Sequence, residues 1–148
     1  MKFLLLCLAF FAGAATSMQV PVNAGLRSHL HHPMQATFVS FAVGMVVSLA
    51  YCLAVGSPVP SWDGLSRVPW WCWCGGLLGT LYVGSSIVLS PKIGVAAMLS
   101  MVIAGQMLAS VLIDHYGVAN APIYSVTTPR VLGAILVIIG ATVMTAWK

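Results

Sequence analysis

The chain reads as an all-α integral membrane protein with five membrane-spanning helices. Two observations carry that reading. Of its 148 residues, 60% are hydrophobic and 5% are charged, whereas a water-soluble domain carries about 25% charged residues and needs them to clothe its surface. The apolar residues also fall into five uninterrupted runs, each near the length a helix needs to cross a hydrocarbon core of about 30 Å. The net charge of +4 rests on six Lys/Arg against two acidic residues, with no basic cluster. That balance bears on membrane orientation and excludes nucleic acid as a partner.

The first run, residues 3–22, opens on Lys2 and continues through FLLLCLAFFAGAATS. A secretory signal begins the same way, with small residues at Ala12 and Ala14. Apolarity resumes through Met18, Val20 and Val22, and everything downstream is membrane-embedded as well, so an uncleaved first span is expected, with a signal peptide as the alternative. Thr16, Gln19 and Asn23 recur at spacings of three and four and share a face. Pro21 cannot donate to the carbonyl of Ser17, so a kink or break is expected there. Freed backbone groups beside two amides form a candidate solute locus. Asn23 reads either as part of that locus or as an interfacial residue where the span ends; Gln19 reads as buried.

The second span covers residues 35–55 and ends in the turn-rich Gly56-Ser57-Pro58-Val59-Pro60. His29, His31 and His32 precede it with no Cys, Asp or Glu nearby, which fits no standard metal site, and a hydrated loop is expected. The third span, residues 70–90, opens with Trp70, Trp71 and Trp73, an aromatic anchor at the membrane boundary. It carries Gly76, Thr80 and Gly84 at four-residue spacing, with Gly75 and Gly79 also four apart, which lets neighbouring helices approach closely. Tyr82, Ser85 and Ser86 offer a polar lining, although hydroxyls also satisfy themselves on their own helix carbonyls.

Pro91-Lys92 reads as a very short turn into the fourth span, residues 93–113, which holds 21 residues without a charge. Gln106 sits near its middle, where no water can satisfy an amide. Gln106, Ser110 and Asp114 follow at i, i+4 and i+8 and share one face. An interhelical hydrogen bond and a solute contact are both open readings for Gln106. Asp114 stands at the helix C-terminus, where the dipole disfavours an anion, so His115, Arg130 or a partner subunit is expected to compensate. It is either a solvated loop acid or a group that couples transport to protons or gates it. The fifth span occupies residues 130–147.

Cys7, Cys52, Cys72 and Cys74 all lie in or beside apolar runs, and Cys72-Trp73-Cys74 lacks the spacer of a redox or zinc motif. They read as packing residues. No nucleophile–base set or metal constellation can be assembled, so neither an enzyme nor a cofactor-binding protein is expected.

Five spans put Lys2, Arg67 and Arg130 on one side of the membrane and Arg27, Lys92 and Lys148 on the other. Orientation follows the Lys/Arg excess, and here there is none. Insertion both ways would allow an antiparallel homodimer, the geometry that many transporters build from inverted repeats within one chain.

The stretches GAATSMQVPVNAGL (13–26), GGLLGTLYV (75–83), SPKIGVAAML (90–99) and AGQMLASVLIDHYG (104–117) resemble the small five-span YdcZ-like family of the drug/metabolite transporter superfamily, whose chains correspond to an EamA-like half. The resemblance implies a bacterial inner-membrane protein forming half of a ten-helix transporter, assembled as a homodimer or with a paralogous half. Gln19, Asn23, Gln106 and Asp114 fall on the family's recurrent polar positions. The related small multidrug exporters use a first-span glutamate that is absent here, so their proton-antiport mechanism does not carry over. The functional expectation is a transporter subunit for a small organic solute, embedded in the lipid bilayer and contacting solute through Gln19, Asn23, Tyr82, Ser86, Gln106 and Ser110, with Asp114 for coupling or gating. The alternative is a non-transporting scaffold or accessory subunit of a larger complex.

Overall fold

A computed structural model of the chain describes residues 2–58 and 60–146; Met1, Val59, Trp147 and Lys148, which the sequence reading drew into the chain start, a turn and the fifth span, lie outside them. The described residues contain helices and no strand: α1 (Lys2–Ser28), α2 (Pro33–Ala54), a short α3 (Trp62–Ser66), α4 (Cys74–Ile93), α5 (Val95–Tyr116) and α6 (Thr128–Ala146). Five of these segments are long and apolar enough to cross a membrane: α1, α2, Trp70–Ile93, α5 and α6.

Helix α1 continues through Pro21 to Ser28, so of the kink or break expected there the break does not occur. Proline removes one hydrogen bond, to the carbonyl of Ser17, and membrane helices tolerate that loss when neighbouring groups hold the next turn. Here Val20 and Asn23, on either side of Pro21, are both buried. At 27 residues α1 is about 40 Å long, more than a hydrocarbon core requires.

Helix α2 starts at a capping box. The His32 Nδ1 accepts from the Met34 N–H at 3.2 Å, and Gln35 Oε1 accepts from the His31 and His32 N–H groups, each at 3.1 Å. Pro33 follows at the first helical position, where its missing N–H costs nothing. His32 is therefore a helix cap rather than merely a loop residue. The helix ends where the Gly56 N–H bonds the Leu53 carbonyl and the Ser57 N–H bonds that of Cys52. Gly56 has φ +67, so this is a Schellman stop at a residue that needs no Cβ.

The segment after α2 forms α3, capped by Ser61 Oγ on the Gly64 N–H at 3.2 Å. A 3-10 turn, Trp70–Trp73, leads directly into α4. All three of its tryptophans are exposed, as an interfacial anchor requires. Pro91 and Lys92 lie inside the last turn of α4, so the expected turn falls instead at Gly94, whose φ of +87 suits glycine.

The chain divides into two compact units, one ending at Val88 and one beginning at Leu89. In the first, Ala36, Val83 and Ile87 form the centre, with Leu26, Leu30 and Tyr82 packed against it. A Cβ on Gly84 would stand 3.2 Å from Met34 Sδ, and one on Gly79 would stand 3.2 Å from the Phe41 ring. Gly79 and Gly84 thus receive the side-chain tips of α2 residues rather than a closely approaching helix backbone. Gly75 and Gly76 face open space. In the second unit α5 and α6 pack along their length, with Ala104, Ala134 and Ala141 buried. Large apolar side chains stay exposed along every span, from Phe3 and Phe10 to Leu136 and Met144. That is the surface a bilayer or a second protein covers.

Candidate functional site

The seven residues that sequence singled out fall into both units, and their environments differ sharply. Asn23 is 3% exposed, and its Nδ2 has no hydrogen-bond partner among the described residues. An amide nitrogen brings two donors, and leaving them unmet in an apolar interior is costly. Ser86 is also buried; its hydroxyl donates to the Val83 carbonyl at 2.8 Å, which leaves only its oxygen lone pairs for another molecule. Tyr82 is half-buried against Ala36, Val83 and Ile87. Asn23 and Ser86 are thus buried in the first unit, and Tyr82 packs against its apolar centre. Gln19 is exposed, against the expectation that it would be buried. The reason is axial: no residue of α1 before Val20 is buried, so Gln19, although only 40° around the helix from Asn23, lies outside its packed part.

In the second unit, Met107, Ser110, Val111 and Asp114 form a stripe on α5 at i, i+3, i+4 and i+7. Arg130, Gly133, Ala134 and Val137 repeat the spacing on α6. Between the two stripes lies an open cleft of about 360 Å³. At its end Arg130 Nη1 donates to Asp114 Oδ2 at 3.1 Å, and the guanidinium carbon sits 5.3 Å from the Tyr124 ring centroid. Arg130 is thus the compensating charge that the position of Asp114 demanded. The loop between the helices is tied to the same point, because the Tyr124 N–H donates to the Asp114 carbonyl at 2.8 Å. Gly117 closes α5 in the left-handed region with φ +63. Ser110 bonds the Met107 carbonyl at 2.9 Å.

Gln106 is exposed and does not line the cleft. Each four-residue step advances 40° around a helix, so Gln106 and Asp114 are already 80° apart. One face at i, i+4 and i+8 was too coarse a description. Among the described residues no three His, Cys, Asp or Glu side chains gather closely enough to hold a metal ion.

The sequence reading missed Ser90, which is buried on α4 with an Oγ that meets no partner among the described residues. Its spacing of four from Ser86 was the available signal. It also named Arg130 only as one of several counter-charges, although its place at the start of the fifth span made it the nearest cation to Asp114 along the chain.

Residues 4–143, nearly the whole chain, match the model of a family described as "Putative inner membrane exporter, YdcZ". The chain belongs to this family. It is also 31% identical over 77 residues to the Inner membrane protein YdcZ of Escherichia coli (strain K12). That match covers 52% of this chain and 51% of the relative, so the chain spans about half the length of the curated protein it resembles. No solved structure matches the chain. Family membership and five apolar helices make it a multi-pass protein of the inner membrane. Within this YdcZ-family chain, Asn23 and the Asp114–Arg130 pair are the places where polar chemistry is concentrated.

Proposed function

We propose that this chain is one half of an exporter for a small organic solute, completed by a second copy in the opposite orientation or by a paralogous half, and working by alternating access. The observation that carries the reading is Asn23: a 97%-buried amide whose two donors meet no acceptor among the described residues. A membrane interior offers no water to satisfy them, so an unpartnered amide there marks a place where something else binds. Tyr82 and the lone pairs of Ser86 add a hydroxyl and an acceptor in the same unit, which suits a polar or amphipathic organic molecule better than an inorganic ion.

Gln19 and Gln106 support the second half of the reading. Both amides are exposed on apolar helices, where lipid tails can neither donate nor accept. A partner protomer would cover them and supply the missing hydrogen bonds, worth about 0.6–2 kcal/mol each. The equal division of Lys/Arg between the two faces fits insertion in both orientations.

The test is comparative solute profiling of the medium around cells that express the chain, its Asn23→Leu variant or neither. Export requires a solute whose external level rises only with the unaltered chain. Equal rises with the chain and with Asn23→Leu would remove Asn23 from the pathway, and no difference from empty cells would favour a scaffold role.

A further inference from the structure

The cleft between α5 and α6 carries chemistry that a solute pathway through Asn23 does not use. Asp114 lies in the last turn of α5 and Arg130 in the first turn of α6. An anion is disfavoured at a helix C-terminus and a cation at an N-terminus, so each charge occupies the wrong end of its helix. Their mutual attraction offsets that cost but leaves neither helix better off than an uncharged residue would. The bridge also uses only Arg130 Nη1 and Asp114 Oδ2. Asp114 Oδ1 and Arg130 Nε and Nη2 meet no partner among the described residues, and the two side chains remain 36% and 37% exposed. A guanidinium has five donors, so most of its hydrogen-bonding capacity faces outward.

Below this charged rim the cleft becomes apolar. Met107 lies two helical turns beneath Asp114, about 10 Å toward the middle of the span. Val111, Ala134 and Val137 complete that floor. Gly133 keeps it open: nothing lies within 4 Å of where its Cβ would be. Tyr116 and Tyr124, both exposed, mark the same end of the helices as the depth of the interface.

We propose that this cleft is a binding site for a membrane phospholipid whose headgroup joins a phosphodiester to a primary ammonium, as in phosphatidylethanolamine. The phosphate meets Arg130 Nε and Nη2, the ammonium donates to Asp114 Oδ1, and the upper acyl chain lies over Gly133 between Val111 and Val137. A rim with one charge of each sign complements a zwitterion and gives an anionic lipid an unfavourable carboxylate. A quaternary ammonium has no N–H to give that carboxylate, so a choline headgroup loses the charge-assisted hydrogen bond. A free headgroup in water would leave the apolar floor empty, which is why the occupant is a lipid. The site does not depend on the solute reading, since it lies in the other unit and requires no transport.

The purified full-length chain, stripped of lipid in detergent, would be titrated with phosphatidylethanolamine, phosphatidylcholine and phosphatidylglycerol of identical acyl chains and followed by native mass spectrometry. The phosphatidylethanolamine adduct is expected at concentrations about tenfold below the other two, the effect of one charge-assisted hydrogen bond. Gly133→Leu fills the floor while leaving the ion pair in place and should abolish the preference without lowering the melting temperature. Asp114→Asn, a second route to the same site, should bring phosphatidylethanolamine down to the level of phosphatidylcholine. Equal binding of the three lipids would overturn the proposal, as would full selectivity in either folded variant. Displacement of the lipid by an equal concentration of free phosphoethanolamine would overturn it too, by making the ligand a soluble zwitterion.

Discussion

Arg130 Nη1 stands 3.1 Å from Asp114 Oδ2, and the backbone N–H of Tyr124, whose ring lies beneath the same guanidinium, donates to the Asp114 carbonyl. One residue at the end of α5 thus holds both the start of α6 and the loop between them, through its side chain and its backbone at once. The side-chain half of this junction is more than a third exposed, so its contribution to stability is modest. A double-mutant cycle of Asp114→Asn and Arg130→Gln should give a coupling of about 0.5–1 kcal/mol in detergent-based unfolding. A coupling near zero would show that backbone and Tyr124 contacts alone close the junction.

Gly117 is the stricter element of the same junction. Its φ of +63 is one that L side chains avoid, and a Cβ there would come within 2.8 Å of Ile123 Cγ1 and 3.2 Å of the Ala121 carbonyl. Gly117→Ala combines a left-handed penalty with a steric one and should cost about 1–3 kcal/mol. Limited proteolysis of the 117–127 loop should accelerate in the variant, while Gly140→Ala, with open space around it, should leave cleavage unchanged or slower.

Asn23 separates stability from function. Asn23→Leu replaces an unsatisfied buried amide with an apolar side chain of similar length. Stability should be unchanged or rise by about 1 kcal/mol, while export falls to the level of empty cells. A loss of both together would make Asn23 a structural residue.

The glycines of α4 should divide by what they face. Gly84→Leu drives a side chain into Met34 and Thr37 and should destabilise by about 1–3 kcal/mol. Gly76→Leu enters open space within the chain and should be stable in the isolated protomer. If Gly76 instead lies against a partner, its replacement should reduce dimer recovery in crosslinking without lowering the melting temperature.

The five spans were legible in the sequence because apolar run length is the one constraint a bilayer imposes on every helix, and the structure shifts their ends by only a few residues. Local features were harder to read. Pro21 looks like a helix breaker, yet α1 continues past it to Ser28. The turn assigned to Pro91-Lys92 falls at Gly94, because only that residue takes φ +87 readily. The surroundings of the candidate residues were legible in part. Buried Asn23 and Ser86 and the cleft-lining Ser110 and Asp114 were found from polar residues in apolar runs. Which of two amides one helical turn apart becomes buried was not legible, because periodicity gives a face but not where along the helix its packing begins. Gln19 lies just before the packed part of α1 and Asn23 within it.

The central claim is that two copies of this chain complete one transporter by facing opposite ways. The most direct measurement places a reporter after residue 148, in paired fusions active only in the cytoplasm or only outside it, in cells lacking any related half. The account predicts substantial activity from both fusions, and a shift to one side when Lys or Arg residues are added to a single face. Activity from one fusion alone, unmoved by added charge, would contradict the antiparallel homodimer.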